Sequence, residues 1–290
     1  MEQKYNEQLK AKNRAKLTRR LILFGLLFVF IFVFFIYPIF ELSIKTQVIN
    51  SDKIPSSFKD FKIAHVTDSF INPSDSLEQI QDSLEDMQAD IVIFGGNIFL
   101  EQDPGYYENF QQMLENLTEK RNIFFYITKG ETELNFSKEY SQKLYRKLQA
   151  RGAFLLDNQG ARLNQAGQTI NIYGLTGRLE DYVKADQTFS LADKPKLNSD
   201  DFNLVISHNP SYIFDLQDEN ADLVLSGNRF GGWVRLPFIG GLFYRAETGL
   251  IEDNYQFGQS DLMITNGMGT EPGRIRLFNP KEIQEIILMR

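Results

Sequence analysis

Apolar and polar positions along the chain follow two periods, and a single unbroken apolar run interrupts them. Residues 61–67 (FKIAHVT), 91–95 (IVIFG), 123–128 (IFFYIT), 170–174 (INIYG), 202–207 (FNLVIS) and 221–226 (ADLVLS) are short, rich in β-branched and aromatic side chains, and bounded by turn-forming residues. Runs of that kind predict buried strands. Between them the period lengthens. In residues 76–88 (SLEQIQDSLEDMQ) the apolar positions are Leu77, Ile80, Leu84 and Met87, spaced three, four and three apart, which predicts an amphipathic helix. Residues 104–120 and 137–151 behave in the same way. Strands alternating with helices, with no internal repeat or flexible tract, predict one α/β domain over residues 58–290 with a largely parallel sheet interior.

The exception to both periods is residues 21–40, LILFGLLFVFIFVFFIYPIF, which hold no charge and seventeen Leu, Ile, Val or Phe. As a helix this stretch matches the roughly 30 Å hydrocarbon core of a bilayer. A secretory signal has a shorter apolar region and a small-residue cleavage site, and the following ELSIKTQ offers no such site. The expected organisation is therefore a basic cytoplasmic tail (1–20), a transmembrane helix (21–40), a linker (41–57) and an exterior domain (58–290). Seven Lys or Arg precede the helix, whereas Lys45 and Lys53 alone follow closely, which orients the N-terminus to the cytoplasm and the domain outside the cell membrane.

Charge and cysteine content narrow the function. The chain carries a net charge of −7, and residues 1–20 contribute +5, so the remainder holds −12. So acidic a domain has no basic surface with which to displace counterions, which argues against a nucleic-acid partner. There are no cysteines, so stability rests on the apolar core, which is sufficient for about 245 residues.

In α/β folds, ligands gather at the loops leaving the strand ends. Those loops read Thr67-Asp68-Ser69-Phe70, Gly95-Gly96-Asn97, Lys129-Gly130-Glu131-Thr132-Glu133, Ser207-His208-Asn209-Pro210 and Ser226-Gly227-Asn228-Arg229-Phe230-Gly231-Gly232. Taken in order they resemble the calcineurin-like metallophosphoesterases, and most closely the bacterial branch with an N-terminal membrane helix. That family reads D-x-H, G-D, G-N-H-D/E, a lone His in S-H-x-P, and G-H-x-H. Here the frames are IAHVTDSF, DIVIFGGN, YITKGETE, VISHNP and LVLSGNRFGGWVRLP, followed by ITNGMGTEPGRIRLFNPKEI. The resemblance spans about residues 58–285 and implies a layered α/β/β/α sandwich preceded by one transmembrane helix.

The resemblance also implies a site with two divalent metals clamping a phosphoryl group. Carried over by position, the first metal would use Asp68 with positions 70, 97 and 230. The second would use positions 97, 131 and 228 with His208. Phe70 and Phe230 supply no lone pair, the bridging position is the neutral Asn97, and Glu131 and Asn228 replace an Asn and a His. Thr132 stands where the family has its catalytic His, and a threonine cannot act as an acid near neutrality. Two of the eight positions, Asp68 and His208, keep the family residue. The expectation is a catalytically degenerate protein in which Phe70 and Phe230 pack together and Trp233 extends the apolar patch.

Two readings of the remaining polar set stay open. Asp68, Asn97, Glu131, His208 and Asn228 offer an imidazole, carboxylates and amide oxygens, acceptable to one weakly held Mn²⁺, Mg²⁺ or Ca²⁺. Alternatively they cap helices and bind loop backbone, with no cofactor at all. His65 falls inside the first strand and reads as a core residue. Gly231-Gly232 reads as a tight turn, and Arg235 either as an anion ligand or as an ordinary ion pair. The expected partners are the membrane, through residues 21–40, and an envelope protein or anionic ligand. The competing expectation is a weak metal-dependent phosphohydrolase acting on an envelope or lipid phosphoester.

Overall fold

The computed structural model describes residues 2–33, 42–71, 77–102, 104–121, 123–176, 197–228, 232, 234–236, 239–242, 249–250, 253–270 and 276–290. It opens with α1 (Glu2–Ile31), whose apolar half is bare on successive faces: Leu21, Phe24, Leu26 and Leu27 are each more than half exposed. Among the described residues no helix is long and apolar enough to cross a membrane. The rest of the apolar run, 34–40, lies outside them.

Two six-stranded sheets form the domain. The first contains β1 (Leu42–Asn50), β2 (Phe61–Val66), β3 (Ile91–Phe94), β4 (Phe124–Ile127), β5 (Ala153–Leu155) and β14 (Lys281–Met289), in the order β1-β14-β2-β3-β4-β5. The second contains β6 (Gln159–Gln165), β7 (Gln168–Leu175), β8 (Asn203–Ser207), β9 (Leu223–Ser226), β12 (Asn254–Phe257) and β13 (Ser260–Ile264), in the order β12-β13-β9-β8-β7-β6. β2 to β5 are mutually parallel, as are β7, β8, β9 and β13. A small hairpin of β10 (Val234–Leu236) and β11 (Gly240–Leu242) stands apart.

Three apolar layers hold these parts together. Val92 and Phe94 of β3 pack toward α2 (Glu78–Met87), α3 (Pro104–Arg121) and α4 (Lys138–Gln149). Ile91 and Ile93 point the other way, into the core between the sheets, where they meet Leu204, Ile206, Leu223 and Leu225. Val205 and Val224 face a third layer with the short α5 (Ile213–Leu216). Strands buried on both faces read as continuous apolar runs for this reason. The layers are α/β/β/α, as the resemblance implies.

One boundary needs correction. The expected linker at 41–57 is structured: β1 pairs in parallel with β14 over its whole length, and Ile54 and Phe58 are fully buried. The strand is hidden from pattern reading because its alternation is inverted. Ile44 and Val48 are exposed, while Ser43, Lys45 and Gln47 occupy the half-covered face. Its stability comes from pairing with a strand some 240 positions away, a contact no local window contains.

Candidate functional site

The parallel strands of both sheets end at the same place, and their terminal loops interlock there. Asp68, Asn97 and Asn228 all adopt left-handed backbone, with φ of 52, 51 and 67°, and so does the bulky Phe70 at 46°. Non-glycine residues in this region cost roughly 1–3 kcal/mol each, and such strain collects at functional loops. The loops also touch too closely for side chains. A Cβ on Gly130 would lie 2.3 Å from the Asn97 amide nitrogen, and one on Gly227 would lie 2.6 Å from Asp68 Oδ2.

Asp68 is fully buried. Its Oδ2 accepts the Asn228 backbone N–H at 2.8 Å, and its Oδ1 accepts Asn97 Nδ2 at 3.0 Å. The opposite end of that amide is also occupied, because Asn97 Oδ1 accepts from the backbone N–H and the hydroxyl of Thr132 at 3.0 and 3.1 Å. A backbone donor on one side and a carboxylate on the other fix which end of the amide is oxygen. Asn228 Nδ2 donates to Glu131 Oε1 at 3.2 Å, which closes a ring of contacts around four of the five loops.

His208 is 2% exposed. Its Nδ1 lies 2.8 Å from the Gly95 carbonyl, an acceptor only, so Nδ1 carries the proton. Nε2 has no hydrogen-bond partner and lies 3.5 Å from Asp68 Oδ1. His65 is a core residue, as expected. Its Nδ1 donates to Gln284 Oε1 at 2.9 Å, and burial lowers its pKa to about 4, so it is neutral.

Two residues essential to this geometry escape a reading of motifs. Glu133, 1% exposed, accepts the backbone N–H groups of Ile98 and Phe99 on Oε1 and of Asn97 and Gly130 on Oε2, at 2.6 to 3.1 Å. It fastens the third loop to the second. Its one local signal is its position three residues after Gly130, where a helix-capping glutamate belongs. Arg276, 1% exposed, donates to the carbonyls of Asn266, Gly267, Gly269 and Pro280, holding the last turn beneath Asp68. Burial lowers its pKa to about 10 against the pull of Asp68 and Glu282, and it stays charged at neutrality.

In sequence the chain is similar to the uncharacterized metallophosphoesterase YkuE of Bacillus subtilis (strain 168), at 25% identity over 249 residues, covering 82% of each protein. The uncharacterized metallophosphoesterase YkoQ of the same organism is 27% identical over 193 residues, 64% of this chain and 66% of that protein. The phosphodiesterase YaeI of Escherichia coli (strain K12) is 25% identical over 221 residues, 73% of this chain and 78% of that one. No family model matches. The chain is related to the calcineurin-like metallophosphoesterases.

Asp68, Asn97, Glu131, Thr132, His208 and Asn228 are brought together in this phosphoesterase fold. Phe70 is buried beside them and packs on Leu100. The expected contact of Phe70 with Phe230, and the placement of Trp233, lie outside the described residues. Arg235 is an ion-pairing residue, with Nη1 3.1 Å from Asp253 Oδ1. Gly232 takes a φ of +82°, and a Cβ there would meet the backbone of Gly241 at 2.7 Å.

The donor set does not fit two metals. A bridging ligand must present oxygen to both ions. The end of Asn97 that faces the Asp68 carboxylate is an NH₂ donor, and its oxygen is taken by Thr132.

Proposed function

We propose that this chain is a membrane-tethered phosphoesterase-fold protein in which a hydrogen-bonded amide replaces the bridging carboxylate, and that it acts by binding an envelope partner or ligand rather than by two-metal hydrolysis. The observation that carries the reading is the Asn97 side chain, held between Asp68 and Thr132 with donor and acceptor both used. A carboxylate facing a fixed N–H donor has its charge satisfied without a cation. The bare apolar half of α1 and the uncharged run of residues 21–40 support the tether.

The protein should be assayed against a chromogenic phosphodiester and monoester with Mn²⁺, Fe²⁺ and Mg²⁺, with bound metal measured in parallel. No metal-dependent turnover is expected. Turnover that disappears in His208→Ala overturns the proposal. One observation favours the rival, a weak single-metal phosphohydrolase: His208 Nε2 has no hydrogen-bond partner and lies beside a carboxylate. Carbonyl-anchored imidazoles of this kind are common metal ligands. Restoring Phe70→His, Asn97→Asp, Glu131→Asn, Thr132→His, Asn228→His and Phe230→His should then create metal binding that the natural chain lacks.

A further inference from the structure

The direction in which the chain enters the first sheet decides which end of the domain lies nearest the tether. β1 runs parallel to β14, and β14 runs antiparallel to β2. In register, Gln284 stands opposite His65 and Leu42 opposite Lys281. Leu42 therefore lies beyond the end of β2, level with the Asp68 loop, while Asn50 lies at the far end. The apolar run 21–40 stops two positions before Leu42, so the chain enters the sheet directly from the tether.

Beside Leu42, at the same end, is a cavity of ≈ 290 Å³ lined by Ser69, Phe70, Leu77, Met268, Thr270 and Lys281 among others. Ser69 is 9% exposed and its Oγ has no hydrogen-bond partner. Lys45 of β1, Lys62 of β2 and Lys129 in the loop after β4 are each tied to a carboxylate. Lys281 makes no ion pair among the described residues. An unspent ammonium and an unspent buried hydroxyl in a cavity whose surface is mainly polar suit a phosphate group. In a domain of net −12 such a cationic spot is a selective feature rather than part of a basic surface.

From this we infer that the strand-end face of the domain is turned toward the bilayer and that the Ser69–Lys281 cavity receives the phosphate of an anionic phospholipid headgroup. The inference rests on the tethered reading above and deepens it by naming the ligand class. The acidic surface otherwise disfavours contact with anionic lipid. The tether offsets that by holding the cavity at high effective concentration over the headgroups.

The chain lacks cysteine, so single cysteines report position directly. The full chain carrying Thr270→Cys or Gln165→Cys, each labelled with a fluorophore, should be reconstituted in phosphatidylcholine–phosphatidylglycerol vesicles containing a headgroup-level spin-labelled lipid. Gln165 lies in the exposed β6–β7 turn, at the N-terminal end of the parallel strands. Strong quenching is expected at position 270 and little at 165. Lys281→Glu should weaken the phosphatidylglycerol dependence of the 270 signal about fivefold, the usual weight of one lysine at an anionic surface. Its unfolding midpoint controls for folding.

If an alkaline wash strips the chain from the vesicles, the tether and the inference fail together. If the chain is retained but positions 165 and 270 quench alike, the orientation fails while the tether stands. If the 270 signal is indifferent to Lys281→Glu, or soluble glycerol phosphate abolishes it, the headgroup assignment is overturned.

Discussion

Glu133 offers a sharp test of how the site is held. Its two carboxylate oxygens accept four backbone N–H groups, those of Asn97, Ile98, Phe99 and Gly130. Replacing it with Ala leaves four donors in a region that water hardly reaches. A buried donor stripped of its partner costs about 1–3 kcal/mol. The loops relax and let some donors find other acceptors, and single substitutions rarely exceed about 4–5 kcal/mol, so the expected loss is about 4 kcal/mol. Glu133→Gln keeps one acceptor oxygen with its two bonds and turns an NH₂ toward the other two donors. It should cost about 2–3 kcal/mol by the same reckoning. Its neighbour Glu131 is half-buried, and Glu131→Gln should cost less than about 1 kcal/mol. Urea unfolding of the full chain at fixed pH measures all three against a total stability expected near 5–15 kcal/mol. A Glu133→Ala protein within about 1 kcal/mol of the parent, or one indistinguishable from Glu131→Gln, would refute the claim that this carboxylate fastens the loops.

Three further outcomes follow from the same geometry. His65 has its pKa lowered to about 4 by burial, so between about 4 and 6.5 the unfolded chain binds more protons than the folded one. Stability should therefore fall by up to roughly 3 kcal/mol as pH drops through that window, and His65→Gln should flatten this part of the urea-midpoint profile. Asn97→Asp sets a second carboxylate against Asp68 at a position now 3.0 Å away; it should lower stability by about 1–3 kcal/mol in EDTA, with Mn²⁺ restoring it, and a thermal midpoint unmoved by Mn²⁺ would count against the bridge assignment. Arg276→Met strands four buried carbonyls and should cost about 3–5 kcal/mol, read from the same urea titration.

Much of the architecture is legible along the chain because its central strands are parallel and covered on both faces. Residues 91–95 and 221–226 announce themselves as apolar runs for that reason, and α2 shows its buried stripe of Ile80, Leu84 and Met87 in its spacing. The strand-end loops are legible too, since they fall where such runs stop. The edges are not. β1 hides behind an inverted alternation, β6 is polar on most of its length, and β14 takes its place between β1 and β2 only through pairing with segments about 220 to 240 positions earlier in the chain.

The site divides in the same way. Sequence alone determined that Asp68, Asn97, Thr132, His208 and Asn228 stand at the ends of apolar strand runs, because identity at a position and the end of a run are local facts. Only the tertiary structure decided what those residues do. The Asn97 amide satisfies Asp68 and Thr132 at once, Glu133 closes four backbone donors, and Arg276 braces the turn beneath. Hydrogen bonding inside a folded core is settled by which groups meet at about 3 Å in low dielectric. The groups that meet here lie between 3 and 160 positions apart in the chain.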